Sequence, residues 1–397
     1  MEFGARRSVV GRLLMWWCIL RLGEGVDLPP CDFRAIYNFG DSNSDTGGIA
    51  AAFFPMIYPA GETFFHRAAG RGSDGRLIID FIAEHLRMPH LSAYLDSIGT
   101  TFRHGANFAT GGATIRRQDE SWFRNGVSPF PLDIQVEHFT QFINRSSYFY
   151  NQGIVVTNKG KCELKCAKKK EKSERDRLPV PGDFSKALYT VDIGQNDIAA
   201  GLRVGLEQLR NTTPDIVNHL AANVVDLYNR GGRSFWIHNT GPIGCLPVYT
   251  VKANREELDE KGCVRSHNEA AMEFNKQLED RVVQLRTELS GAALTYVDMF
   301  QAKYTLIGSA KDQGFEDPSK ICCGYHDKRY DVWCGHSGIT NGTTEVYAGS
   351  CEEPSSVISW DGVHYTEAAN KWVALHIVNG TWSDPPISIT RACQAQI

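Results

Sequence analysis

The sequence has no large excess of charge of either sign, since 42 lysines and arginines are balanced by 46 aspartates and glutamates. The net charge of −4 gives no basic field to attract nucleic acid or an anionic membrane surface. Beyond the N-terminal region no segment approaches the about 20 apolar residues that span a bilayer, and there is no internal repeat. What remains is ordinary globular composition over 397 residues, enough for one large α/β domain or two smaller ones.

The N-terminal end has the pattern of a secretory signal peptide, which we place at residues 1–25. Arginines precede the apolar run LLMWWCIL at 13–20, and the small residues Gly23 and Gly25 suit a cleavage site. The run is too short to span a bilayer. We therefore predict export, with residues 26–397 as a single domain; a disordered or membrane-anchoring N-terminus is the alternative.

Cysteine usage fits an exported chain. Of eleven cysteines, Cys18 lies in the predicted signal peptide, and Cys162 and Cys166 lie in a lysine-rich stretch. An even number then remains, which in an oxidising compartment indicates disulfides. We predict four disulfides among these eight: Cys31, Cys245, Cys263, Cys322, Cys323, Cys334, Cys351 and Cys393.

Two pairs are expected individually. Cys245 and Cys263 flank a single loop, and Cys31 and Cys393 lie near the two ends of the domain. The four cysteines between 322 and 351 also leave a zinc site open, although adjacent cysteines do not match the usual C-x₂₋₄-C ligand spacing.

N-glycosylation sequons support the secretory pathway, since each places an asparagine two residues before serine or threonine. We predict glycosylation at Asn144, Asn211, Asn341 and Asn379.

Short apolar strands alternate with helical stretches, which predicts an α/β fold with a parallel sheet. The predicted strands are 35–39, 104–109, 187–193, 234–238 and 293–299, and the predicted helices are 75–86, 214–230, 266–290 and 367–378. Ser42, Gly112 and Asn196 each follow the carboxyl end of a different strand. Because ligands bind outside those ends in open α/β sheets, the three loops are expected to converge on one site.

Residues 154–177 stand apart as a lysine-rich and glutamate-rich segment with few large apolar side chains. This composition is typical of a solvated loop. Binding of a polyanion by its lysines is the alternative.

Two motifs could supply a nucleophile and its base. Ser42 lies in a turn of small residues directly after a strand, where a serine is exposed on a rigid base. Asp361 and His364 are three residues apart, so the carboxylate can accept from the imidazole and leave its other nitrogen for a serine. The G-x-S-x-G motif, which forms the nucleophile elbow of the α/β-hydrolases, is absent. Each motif also has a purely structural alternative. Ser42 would then cap a helix, and the Asp361–His364 pair would hold a surface loop in place.

Two further motifs could stabilise an oxyanion. Gly111 and Gly112 end a strand, where a glycine lets a main-chain N–H approach a substrate oxygen. Asn196 carries a neutral amide donor suited to a developing negative charge. Each motif alone is also compatible with a tight turn.

Together these motifs resemble the GDSL, or SGNH, family of esterases and lipases, and more narrowly its large plant branch, which includes early-nodulin-like and fucosidase-named members. The resemblance runs from Cys31 to Cys393, with Asn43 in place of the leucine of the family name. The blocks that carry it, in the family order, are FGDSNSDTGG at 39–48, GRGSDGRLIIDFIAE at 70–84, GANFATGG at 105–112, DIGQND at 192–197 and WDGVH at 360–364. Relative to the family, residues 154–177 look inserted, either as a real loop or through an error in the gene model.

The resemblance implies a flavodoxin-like α/β/α sandwich around a parallel sheet of about five strands. It implies Ser42 as nucleophile, His364 as general base and Asp361 as the carboxylate that orients the base. It also implies oxyanion donors at the Ser42 N–H, the Gly112 N–H and the Asn196 side chain, with Gly112 preferred to Gly111 by the alignment of the block. No metal or organic cofactor is implied.

The implied function is a secreted serine carboxylic-ester hydrolase of the apoplast or cell wall. Its substrate would be a small-molecule or polysaccharide ester, such as an acylated cell-wall polysaccharide or specialised metabolite; neither nucleic acid nor a transmembrane segment is expected. An acyltransferase with the same triad, a fucosidase, and a non-catalytic sugar-binding or defence protein are the alternatives. The acyl length and the oligomeric state stay open.

Overall fold

The computed structural model describes residues 29–118, 128–152, 175–341 and 343–394. The predicted signal peptide, with Cys18, lies outside the described residues. So does most of the lysine-rich segment, including Cys162 and Cys166. Its last residues are described and belong to the folded chain, since the Arg177 carbonyl accepts a 2.9 Å hydrogen bond from the Phe102 N–H.

A six-stranded sheet forms the centre of the molecule, with strand order β10-β5-β4-β3-β1-β2. Strands β1 to β5 are parallel, and β10 joins β5 antiparallel at one edge. The bounds are β1 Ile36–Gly40, β2 Gly105–Asn107, β3 Leu188–Asp192, β4 Ser234–His238, β5 Ala293–Val297 and β10 Ser383–Asp384. All five predicted strands are therefore present, and β4 has the predicted limits.

Helices cover both faces of this sheet, which gives the predicted three-layer sandwich. Their bounds are α1 Gly48–Ala52, α2 Ile78–His85, α3 Leu132–Gln152, α4 Gln195–Val204, α5 Leu206–Asn229, α6 Pro247–Thr250, α7 Arg265–Glu288, α8 Met299–Gly308 and α9 Glu367–Ile377. The N-terminus of α9 is capped by Thr366, whose hydroxyl accepts from the Ala369 N–H. Helix α5 begins eight residues before the predicted start, so Pro214 lies inside it rather than at its first turn.

Successive residues of β1 show how the layers arise. Tyr37 packs with α3, α5 and α7 on one face, whereas Ile36 packs with α2, α8 and α9 on the other. Because side chains alternate across a strand, a continuous apolar strand supplies both faces of a doubly covered sheet. Within the described ranges no helix combines the length and apolar character needed to cross a membrane.

A small disulfide-bonded module lies between α8 and α9. It contains two antiparallel hairpins, which pair β6 Gly324–His326 with β7 Asp331–Trp333 and β8 Ser337–Thr340 with β9 Thr344–Tyr347. The four disulfides are Cys31–Cys393, Cys245–Cys263, Cys322–Cys351 and Cys323–Cys334. Both individually predicted pairs are confirmed. The zinc alternative is wrong, because the four cysteines between 322 and 351 are consumed in two disulfides.

The asparagines of the four predicted sequons, Asn144, Asn211, Asn341 and Asn379, are all exposed. Their glycosylation stays a prediction.

Candidate active site

Ser42 lies immediately beyond β1, in a turn fixed from two sides. The side-chain amide of Gln135 pairs with Gly40 like an adjacent strand, accepting from its N–H at 2.9 Å and donating to its carbonyl at 2.8 Å. A Cβ at Gly40 would lie 2.4 Å from the Asp192 carbonyl oxygen. Glycine is therefore required where β1 approaches β3, and this close packing holds the turn that presents Ser42.

Ser42, His364 and Asp361 form one hydrogen-bonded chain. The Ser42 hydroxyl lies 2.8 Å from His364 Nε2, and His364 Nδ1 lies 2.6 Å from Asp361 Oδ2. The other carboxylate oxygen of Asp361 accepts from the N–H groups of Val363 and His364, at 3.0 and 2.7 Å. Since the carboxylate holds Nδ1–H, Nε2 is the acceptor for the serine proton. The arrangement has the geometry of a nucleophile, a base and an orienting acid.

The two titratable groups of this chain shift each other's pKa in opposite directions. Burial alone would lower the pKa of His364, but the charge of Asp361 and their hydrogen bond raise it above its ordinary value. Burial alone would raise the pKa of Asp361, but His364 and two main-chain N–H donors lower it. The imidazolium that forms when His364 takes a proton is therefore stabilised, while Asp361 stays ionised.

A buried charged group lies behind the serine turn. Burial, together with the charge of Asp192, raises the pKa of Asp41 to about 7. Asp192 itself lies 3.3 Å from His238 Nδ1, within ion-pair range but outside good hydrogen-bond geometry. Burial and the neighbouring carboxylate therefore both favour the neutral form of Asp41.

Asp45 decides which glycine N–H is left for an oxyanion. Its carboxylate accepts from the Gly47, Gly48 and Ile49 N–H groups and, at 2.7 Å, from Gly111. The Gly111 donor is thus consumed, whereas the Gly112 N–H makes no hydrogen bond to a described residue. Sequence reasoning did not assign Asp45. Its only signal in the sequence was a second aspartate in the same turn, a residue that is also typical of a helix cap.

Asn196 lies in the first turn of α4, and one N–H of its side chain donates to the Ala113 carbonyl at 2.9 Å. An amide nitrogen carries two hydrogens, so a second donor remains. The following residue, Asp197, accepts from the Ile115 and Arg116 N–H groups, at 2.8 and 3.3 Å. Burial raises the pKa of Asp197 to about 7. These contacts attach the loop after Gly112 to the start of α4.

A buried asparagine pair joins the loops beneath the site and was also missed from sequence. Asn38 donates to Asn107 at 2.8 Å, and Asn107 donates to the Ser44 carbonyl at 2.6 Å. Polar residues inside apolar strands were the available signal, because a buried amide needs partners.

A cavity of about 950 Å³ opens beside Ser42, Gly112, Asn196 and His364. Its wall is largely apolar and includes Ile49, Met56, Ile243, Leu246, Val248 and Trp333. Charged side chains also line it, namely Arg203, Lys252 and Asp331. Such a cavity suits a ligand with an apolar body and a few polar groups.

The chain belongs to the GDSL family, since the sequence profile described as GDSL-like lipase/acylhydrolase matches residues 36–377. The chain is therefore a hydrolase of ester bonds. It is 54% identical over 399 residues to a GDSL esterase/lipase of Arabidopsis thaliana, covering 99% of this chain and 98% of the relative. Identity is 46% to GDSL esterase/lipase ENOD8 of Medicago truncatula (91% and 90% covered) and 43% to Alpha-L-fucosidase 3 of Arabidopsis thaliana (92% and 93% covered).

Proposed function

We propose that the chain is a secreted serine carboxylesterase in which Ser42, His364 and Asp361 form the catalytic triad. The observation that carries this proposal is the unbroken hydrogen-bonded chain from the Ser42 hydroxyl through the His364 imidazole to the Asp361 carboxylate, at the wall of an apolar cavity.

Acylation begins when His364 Nε2 takes the Ser42 proton as the hydroxyl oxygen attacks the ester carbonyl. The oxyanion of the tetrahedral intermediate accepts from the Ser42 and Gly112 N–H groups and from the Asn196 amide. When the intermediate collapses, His364 gives its proton to the departing alcohol and Ser42 carries the acyl group. Water, activated by the same imidazole, then releases the acid and regenerates Ser42.

The substrate is an ester of a plant polysaccharide or specialised metabolite. The apolar wall supports an acyl or aromatic group, and the charged side chains lining the same cavity support a polar remainder. Export is supported by four disulfides, because such bonds persist in oxidising compartments. The apoplast or cell wall is the corresponding location.

The test compares wild type with Ser42→Ala on p-nitrophenyl esters of rising chain length and on acetylated xylan. Ser42→Ala should lose nearly all turnover and keep its melting temperature, because only the hydroxyl is removed. Ser185→Ala, at an exposed serine remote from the cavity lining, is the matched control and should keep full activity. A folded Ser42→Ala protein that retains more than a few per cent of turnover would refute the assignment of this triad.

The same triad serves an acyltransferase, so products are also analysed with competing alcohols. A fucoside is assayed in parallel because one relative is named a fucosidase. Most glycosidases use two carboxylates that flank the scissile bond, whereas the described lining of this cavity contains one, Asp331. We therefore expect hydrolysis of esters and none of the fucoside.

A further inference from the structure

His326 lies directly behind the acid of the proposed triad. Its Nε2 is 3.0 Å from the main-chain carbonyl oxygen of Asp361, and its Nδ1 is 2.8 Å from Asp331 Oδ1. The imidazole side chain is 0% exposed, so water cannot replace either partner. The ring therefore links the disulfide-bonded module to the loop that carries Asp361.

Both partners of this ring are acceptors, since a carbonyl oxygen and a carboxylate oxygen have no hydrogen to give. The bond to the Asp361 carbonyl oxygen therefore needs a hydrogen on Nε2, and Nε2 is its donor. Asp331 is in turn held by Lys252, whose Nζ lies 2.6 Å from its second oxygen.

The main chain leaves a slot for this ring. A Cβ at Gly324 would lie 3.3 Å from His326 Nε2, and a Cβ at Gly362 would lie 3.1 Å from its Cδ2. Gly362 sits between Asp361 and His364 and has a φ of 90°, which favours glycine. The Trp333 ring packs edge-on against the imidazole, with 5.0 Å between the two ring centroids. The ring thus packs against the triad loop as well as donating to it.

The module is attached to the same loop by its main chain. The Cys322 and Cys323 N–H groups donate to the Ser359 and Trp360 carbonyls, at 3.0 and 2.6 Å. These bonds fix the start of the loop, whereas His326 fixes Asp361 itself. No other side chain of the described residues donates to the Asp361 carbonyl.

We propose that His326 is a positioning residue, which donates from Nε2 to the Asp361 carbonyl and thereby holds the Asp361 carboxylate in line with His364. The proposal rests on the triad proposed above. His326 does not contact the reacting atoms. Its effect passes through the Asp361–His364 hydrogen bond, and therefore through the turnover step and the pKa of His364.

Substitution of His326 by two different amide side chains tests its two hydrogen bonds separately. Glutamine places its amide nitrogen near the position of Nε2, so His326→Gln can still donate to the Asp361 carbonyl. Asparagine reaches only as far as Nδ1, so His326→Asn keeps the Asp331 side and loses the carbonyl bond. His326→Leu fills the slot with neither donor.

We expect His326→Asn and His326→Leu to lose kcat by about 10- to 10²-fold with KM nearly unchanged, since small displacements of catalytic groups have costs of this size. His326→Gln should recover most of that loss. The acid limb of the kcat/KM pH profile should move to lower pH in the Asn and Leu variants. His364 faces Asp361, Asp41 and Lys303, and a displaced Asp361 carboxylate weakens the largest influence that raises the pKa of His364.

Melting temperature and circular dichroism are recorded first, and either loss variant that folds is sufficient for the test. Equal kcat in the Gln and Asn variants, or a folded Asn or Leu variant with wild-type kcat and an unmoved acid limb, would overturn the positioning role. Either result would refute only the role of His326 and not the proposed triad. Activity retained by Ser42→Ala would refute the triad itself, whatever the His326 variants show.

Discussion

Asp361→Asn preserves the shape of the side chain but exchanges the donor and acceptor roles of the two His364 ring nitrogens. Asp361 Oδ1 accepts from the Val363 and His364 N–H groups, so the one oxygen of an asparagine is expected to occupy that position. The new NH₂ group then faces His364 Nδ1, which must become an acceptor. The ring proton moves to Nε2, 2.8 Å from the Ser42 hydroxyl, where a lone pair is needed. We expect kcat to fall by about 10⁴-fold, the usual cost of the wrong tautomer.

The variant also removes the charge that raises the pKa of His364. Activity requires neutral His364, so the acid limb of wild-type kcat/KM should lie above the ordinary histidine pKa of about 6.5. In Asp361→Asn the limb should move below it, because burial then dominates. The assay is p-nitrophenyl acetate hydrolysis from pH 4 to 9 (about one reading per half unit) with urea melts as a check on folding. Asp312→Asn, at an exposed carboxylate, is the control. A folded Asp361→Asn enzyme with less than about a tenfold loss, or an unmoved limb, would refute the tautomer argument.

Asn196→Ala should reduce kcat by about 10²–10³-fold through loss of one oxyanion donor; unchanged kcat in a folded variant would remove Asn196 from the oxyanion hole. Replacing Cys245 and Cys263 together by serine opens a disulfide of sequence separation 18 and should lower unfolding stability by about 3 kcal/mol. Calorimetry measures this, and an unshifted melting temperature would contradict it. Deleting 154–174 while sparing Arg177, which is bonded to Phe102, should keep turnover and melting temperature, because surface loops tolerate length changes. A large fall in either would show that the segment packs on the domain.

Much of the fold and part of the site follow from local sequence. The parallel strands are short apolar runs, and their limits were predicted within a few residues because burial on both faces leaves little choice of residue type. Asp361 and His364 are three residues apart on one loop, so their contact is a local matter. The even set of eight cysteines indicated disulfides, and the loop between Cys245 and Cys263 indicated one pair.

Tertiary structure alone decided the rest, because the contacts join residues that are far apart in sequence. Ser42 and His364 are 322 residues apart, and only the adjacent ends of the sheet and its loops place them 2.8 Å from each other. Gly111 and Gly112 look alike in sequence, and the Asp45 carboxylate distinguishes them by consuming one donor. His326 carries no motif at all. Its position behind Asp361 depends on a folded hairpin and on space left by Gly362, so a histidine without a sequence signal becomes the contact that holds the acid.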